Sequence, residues 1–199
     1  MNHNRGAGPH PYIESQLVKF LMPVTSVLNR AFVALVILAL VAVSPAEAAP
    51  QFSSLTVDAR TGKILYQKDP DGLRHPASLT KMLTLYVLFQ DLKSGRINRS
   101  TQLRVSRRAS MMAPSKLGLK PGTTISVDDA IKALVTKSAN DVAATIGENL
   151  GGTESNFAAR MTRVAHSIGM SRSTFYNASG LPNPKQYTTA RDMPLWACV

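Results

Sequence analysis

At 199 residues, 44% of them hydrophobic and 18% charged, the chain is long enough and apolar enough for one domain with a core of its own. Its single cysteine, Cys198, excludes an internal disulfide and carries no redox or metal signal. The formal net charge of +11 would suit a nucleic acid, but the basic residues are dispersed apart from Arg107-Arg108, with no basic helix stripe and no aromatic interleaving, which argues against that class.

Residues 1–48 read as lying outside the folded domain. Ala31 to Val43 is a run of 13 apolar residues, preceded by Arg30 and followed by Ser44-Pro45-Ala46-Glu47-Ala48, which carries an A-x-A cleavage pattern. That is the outline of a secretory signal, too short to remain as a membrane span. The polar stretch before it is long for a signal, and Met22 is the expected start of translation. The mature chain, residues 49–199, is then exported to the periplasm or cell envelope. There its 20 basic and 10 acidic residues favour anionic wall polymer or membrane surface as partners.

Phe52 to Val57 and Lys63 to Gln67 read as short strands joined by Asp58-Ala59-Arg60-Thr61-Gly62, a five-residue loop ending in glycine, which predicts a hairpin. Pro76 biases His75 away from helical geometry, so a helix is expected from Ala77 or Ser78 to Lys93, stopped at Gly95. From Met82 to Phe89 it is apolar on nearly every side except Thr84, the pattern of a helix buried in a domain centre. Lys93-Ser94-Gly95 closes that helix, with glycine as the stop and lysine complementing the dipole.

The first turn of this helix carries chemistry. Ser78 and Lys81, three residues apart, share one face. A serine hydroxyl is a weak nucleophile, and a lysine serves as its base only when burial or nearby positive charge lowers its pKa. A helix N-terminus disfavours the ammonium and offers free N–H groups to a developing oxyanion. The spacing alone is weak. With 18 serines and 10 lysines, about 0.9 chance matches to Ser-x-x-Lys are expected, and a capping serine beside a solvated lysine is the plainer reading.

Beyond Gly95, Gln102-Leu103-Arg104-Val105 reads as a short strand and Pro121-Gly122 as a turn. Ser126-Val127-Asp128-Asp129 outlines a capping box, with Asp in place of Glu, before a short helix ending near Lys137. Ser138-Ala139-Asn140-Asp141 then connects to a second helix, Val142 to Leu150, closed by Gly151-Gly152. Thr153 caps a third, running to Ile168 and stopped by Gly169. Taken alone, Ser138-x-Asn140 is a cap or a turn. Its place after Ser78-x-x-Lys81 gives it a second reading, because that succession belongs to penicillin-binding proteins and β-lactamases.

On these motifs the chain resembles the serine-type D-alanyl-D-alanine carboxypeptidases, the low-molecular-mass penicillin-binding proteins, over roughly Ser54 to Met193. The matching stretches are the Asp58 to Tyr66 hairpin, Pro76-Ala77-Ser78-Leu79-Thr80-Lys81-Met82, Ser138-Ala139-Asn140-Asp141, Asn177-Ala178-Ser179-Gly180-Leu181, and Thr188-Thr189-Ala190-Arg191-Asp192-Met193. The hairpin and the Gly180-Leu181 segment favour this family over β-lactamases. The resemblance implies an α/β (α+β) fold of the β-lactamase/transpeptidase-like kind, an antiparallel sheet with a helical subdomain beside it. It also implies that Ser78 attacks a peptidoglycan stem peptide ending in D-Ala-D-Ala to form an acyl-enzyme. Lys81 is then the base, Ser138 relays a proton toward the leaving amine, and Asn140 binds the substrate amide and helps hold Lys81. β-Lactam antibiotics would acylate Ser78 likewise. No metal or organic cofactor is implied.

The family's third motif, Lys-Thr-Gly or Lys-Ser-Gly, does not follow Ser138, since Lys93-Ser94-Gly95 lies on its other side. The expectation is a C-terminally truncated or frame-shifted product in which residues 49–199 form a partial catalytic domain. Its later sheet strands are missing, the Ser78 helix is partly uncovered, and no transmembrane segment or anchor remains after signal cleavage. Pro194 falls inside a helix that Ala190 to Met193 begins, and Trp196 to Val199 has no counterpart in the family. Two other readings stay open: an inactive penicillin-binding or wall-binding remnant, and a peptidoglycan endopeptidase.

Overall fold

The computed structural model describes residues 52–194 and four helical positions nearer the N-terminus, Asn29, Arg30, Phe32 and Leu35. The expected cleavage pattern, the start at Met22, most of the 31–43 run, and Trp196 to Val199 with Cys198 lie outside the described residues. The chain divides into two units, Met1–Pro50 and Gln51–Val199, the second holding the described strands and the helices that follow them.

The predicted hairpin is present as β1 (Ser54–Val57) and β2 (Ile64–Lys68), antiparallel, with Ser54 opposite Lys68, Thr56 opposite Tyr66 and a bulge before Val57. Asp58 fixes the loop. Its Oδ1 accepts the N–H of Arg60 at 3.1 Å and the N–H and hydroxyl of Thr61, both at 2.7 Å. Those Thr61 bonds, the side-chain one first, hold the Asp58 carboxyl below its ordinary pKa.

Helix α1 (Thr80–Lys93) is entered through a single 3-10 turn, Ala77–Leu79, so the expected helix is there with a tighter first turn. It stops as predicted: Ser94 N–H donates to Gln90 O, and Gly95 turns the chain with φ +72°. Its burial is one-sided: apolar nearly all round, it is left partly uncovered, as expected where later strands are missing. Leu83, Val87 and Leu88 are buried, whereas Leu79, Met82 and Phe89 are 52%, 38% and 44% exposed. These three recur at i, i+3 and i+10 and so lie on one solvent-facing side, with the half-buried Tyr86 between them packed against the core.

β3 (Gln102–Arg104) pairs antiparallel with β4 (Thr124–Ser126), bringing the buried Leu103 and Ile125 opposite each other. Between them lies α2 (Arg107–Ser110), capped by Ser106 Oγ on Ala109 N–H at 2.9 Å. Neither β4 nor α2 shows a pattern in the sequence. The capping box does: Ser126 Oγ accepts Asp129 N–H at 3.1 Å and opens α3 (Val127–Lys137).

Helix α4 (Asn140–Gly151) begins two residues earlier than predicted. Its first N–H, from Asn140, finds an acceptor far away in sequence, Ser115 O at 2.7 Å, which serves in place of a side-chain cap. Helix α5 (Glu154–Ser167) is capped by Thr153 Oγ1, which accepts Asn156 N–H at 3.1 Å. The core gathers around α4, where Val142, Ala143 and Ile146 meet Leu83 and Val87 of α1, Leu134 of α3, and Phe157 and Met161 of α5. Asp91 of α1, 2% exposed, is gripped by both guanidinium nitrogens of Arg160 of α5 at 2.7 and 2.5 Å.

Ala190 to Pro194 forms turns rather than the predicted helix start. Asp192 N–H is taken by Thr189 Oγ1 at 3.0 Å, Arg191 N–H by Pro70 O at 2.9 Å and Met193 N–H by Thr189 O at 3.2 Å, a single capped turn that ends, among the described residues, at Pro194. Among the described residues, no helix is long and apolar enough to cross a membrane.

Candidate active site

The site is built at the head of α1. Pro76 is buried, Ala77 is held at φ +46°, and the next residue, Ser78, is exposed. A left-handed φ at an alanine is a sparsely populated conformation that the surroundings must impose. Here the cause is visible, since Gly180 packs directly against the Ala77 backbone.

One turn on, Lys81 is 4% exposed. Its Nζ lies 3.3 Å from Ser78 Oγ and donates to the Ser179 carbonyl at 2.7 Å. Burial pushes the Lys81 pKa below the ordinary lysine value. A neutral amine has two N–H bonds and one lone pair. With one N–H fixed on Ser179 O, the lone pair can face the Ser78 hydroxyl and accept a hydrogen bond from it.

Ser138 sits between α3 and α4, half-buried and left-handed, with φ 52° and ψ 40°. Asn140 is 5% exposed, and its Nδ2 donates to Ala113 O at 2.9 Å. That carbonyl can only accept, so the amide orientation is fixed with Oδ1 turned the other way. Among the described residues, Ser78 and Lys81 are joined directly, and neither Ser138 nor Asn140 hydrogen-bonds to them. Where the sequence suggested that Asn140 helps hold Lys81, the structure places the Ser179 carbonyl on it.

A loop folds over the Ser138 to Asp141 segment and is held by it. Ser115 Oγ donates to Lys137 O at 2.9 Å. The buried carboxylate of Asp141 accepts the N–H groups of Leu117, Gly118 and Leu119 at 2.9, 2.8 and 3.1 Å. On the other side, Gln186 ties three segments together. Its Oε1 accepts Tyr176 N–H at 2.9 Å and Asn177 N–H at 3.1 Å, its Nε2 reaches Thr80 Oγ1 at 3.4 Å, and its carbonyl accepts His75 Nδ1–H at 2.7 Å. Sequence reasoning missed Ser179, Asp141 and Gln186 as parts of the site. Ser179 contributes a backbone carbonyl, which no residue type announces, and the other two act across more than 20 or 100 positions.

A mixed fold of antiparallel strand pairs beside packed helices, with a serine and a buried lysine at a helix head, is the architecture of the transpeptidase and β-lactamase class, and solved penicillin-binding proteins superpose on it. The D-alanyl-D-alanine carboxypeptidase DacD from Francisella tularensis aligns with a TM-score of 0.72 and 36% identity, covering 78% of this chain and 38% of that one. Penicillin binding protein 5 from Haemophilus influenzae gives 0.70 and 31%, covering 76% of this chain and 46% of that one. Residues 41–198 match the D-alanyl-D-alanine carboxypeptidase family, and the chain belongs to it. Among curated relatives, D-alanyl-D-alanine carboxypeptidase DacF of Bacillus subtilis is 32% identical over 145 residues, 73% of this chain and 37% of the relative. A D-alanyl-D-alanine endopeptidase of Pseudomonas aeruginosa is 28% identical over 141 residues, 71% of this chain and 44% of the relative. The chain spans less than half the length of these curated relatives.

Proposed function

We propose that residues 49–199 carry the nucleophile half of a serine-type D-Ala-D-Ala carboxypeptidase, exported behind a signal in residues 1–48 and acting on peptidoglycan stem peptides in the cell envelope. The observation that carries this reading is the Lys81 amine, buried, lowered in pKa and aimed by Ser179 O at Ser78 Oγ. Family membership supplies the substrate class. The endopeptidase alternative is not favoured, because the endopeptidase relative is less similar than the carboxypeptidases.

In this reading Ser78 Oγ attacks the carbonyl carbon of the terminal peptide bond and its proton passes to Lys81 Nζ. The terminal D-alanine leaves with a proton delivered through Ser138, and water then hydrolyses the Ser78 ester. One N–H of Asn140 Nδ2 is taken by Ala113 O, which orients the amide so that Oδ1 is available as an acceptor for a substrate amide N–H. A β-lactam ring is opened by the same attack and leaves an ester on Ser78.

The test is intact-mass analysis of the protein after incubation with a labelled penicillin, beside Ser78→Ala. One adduct, missing in the variant, is expected. Soluble, folded protein that takes up no label overturns the reading and leaves an inactive remnant of the family.

A further inference from the structure

Outside the motif residues, one buried carboxylate reaches the lysine through two residues of backbone, Ala178 and Ser179. Glu154, the first residue of α5, is 6% exposed. Its Oε1 accepts Ala178 N–H at 3.0 Å, and its Oε2 is paired with Arg108, which also donates to Glu148 at 2.8 Å. The carbonyl of Ala178 is held from the opposite side by Thr84 Oγ1 of α1 at 2.7 Å. The next carbonyl, Ser179 O, is the one on Lys81 Nζ.

We infer that Glu154 is a positioning residue for Lys81: anchored by Arg108, its carboxylate fixes the Ala178 peptide, and that peptide sets the Ser179 carbonyl on the amine. Two grips at Ala178, one on N–H and one on C=O, fix the backbone entering Ser179, and Gly180 N–H, in the same peptide plane as Ser179 O, is held by Asn177 Oδ1 at 2.7 Å, so the carbonyl is bounded from both sides. The geometry explains why a carboxylate is kept in a place where burial is costly, since a buried charge persists only when it is paired and hydrogen-bonded. It has both partners here, and one of them leads to the reacting group. The inference rests on the reading of Lys81 as the base.

The experiment follows Lys81 itself, by NMR of protein carrying 13C at lysine Cε, with the Lys81 signal identified in Lys81→Arg. A carbonyl accepting from the ammonium favours the charged form, whereas burial disfavours it. In Glu154→Ala the Ser179 carbonyl loses its fixed place while the burial remains, so the Lys81 titration midpoint is expected below that of the wild type. Glu154→Gln keeps an oxygen for Ala178 N–H but turns its amide N–H groups toward the Arg108 guanidinium, so it is expected to titrate between the wild type and Glu154→Ala. A midpoint unchanged or raised in folded Glu154→Ala overturns the inference. Should that variant fail to fold, Glu154→Asp keeps the charge but shortens its reach, and the same two outcomes decide. Acylation by penicillin, followed in parallel, is expected to slow roughly 10- to 100-fold in Glu154→Ala and to be restored in part in Glu154→Gln. The two readouts separate the failures: no adduct on wild-type protein sinks the catalytic reading, and an unmoved lysine sinks the role of Glu154.

Discussion

A Cβ added to Gly180 would fall 1.8 Å from the carbonyl oxygen of Ala77, the residue before Ser78, and Gly180 also holds φ +84°. The turn that reaches Lys81 is thus pressed against the entry to α1, and only a residue without a side chain permits it. Gly180→Ala is expected to cost about 2–4 kcal/mol, combining a left-handed alanine with overpacking against backbone. Denaturant unfolding checks this, and a midpoint equal to wild type would show that the contact yields freely.

The Lys81 amine sets a pH dependence. Its folded pKa lies below the ordinary lysine value of 10.5 through burial. Between the two values the unfolded chain holds more protons than the folded one, so this group adds stability as pH rises and its cost is full below the folded pKa. Relative to Lys81→Met, the wild type is expected to gain stability from neutral pH toward 10.5. Urea unfolding of both proteins across that range measures it, and parallel curves would refute it.

Acylation of Ser78 is expected to rise over the same limb, because the base works only when neutral. A penicillin-acylation rate that stays flat from acid to alkaline pH would exclude Lys81 as the base.

Removing Asp91 leaves Arg160 partly buried without its carboxylate. Asp91→Ala is expected to cost about 3 kcal/mol, with much of the loss recovered when Arg160→Met is added, since two neutral side chains need no pairing. A double-mutant cycle gives the answer. Additive losses would mean that the pair is not a unit.

Asn140→Asp sets a carboxylate oxygen against the Ala113 carbonyl in place of a donor. A loss of about 1–3 kcal/mol is expected, and Asn140→Ala should be milder because it removes the donor without adding repulsion. Thermal melts of the two variants rank them.

What was legible in the sequence was local. Ser126, Thr153, Gly95 and Gly169 announce helix ends because caps and left-handed stops act within a few residues of themselves. Ser78 and Lys81 could be paired on paper for the same reason, being one turn apart on one helix. The early start of α4 could not, since Asn140 N–H finds its acceptor 25 positions away at Ser115. That α1 is left partly uncovered was legible, but not which face, because a stripe of Leu79, Met82 and Phe89 is as apolar as the buried face and only tertiary packing tells them apart. The turn at Ala190 to Pro194 opens as a capped helix would, with Asp192 N–H on Thr189 Oγ1 and Met193 N–H on Thr189 O, and the described residues carry it no further than Pro194, which has no N–H to add a bond.

Asp141 has a further consequence, in time rather than in space. Leu117, Gly118 and Leu119 belong to no strand or helix, yet their amides end on a carboxylate in the first turn of α4. Such amides cannot be shielded from solvent before that turn has formed, and they must exchange when it frays. Hydrogen exchange would therefore find this irregular loop opening in step with α4, so that the Ser138 to Asn140 segment and its covering loop are gained and lost as one cooperative piece.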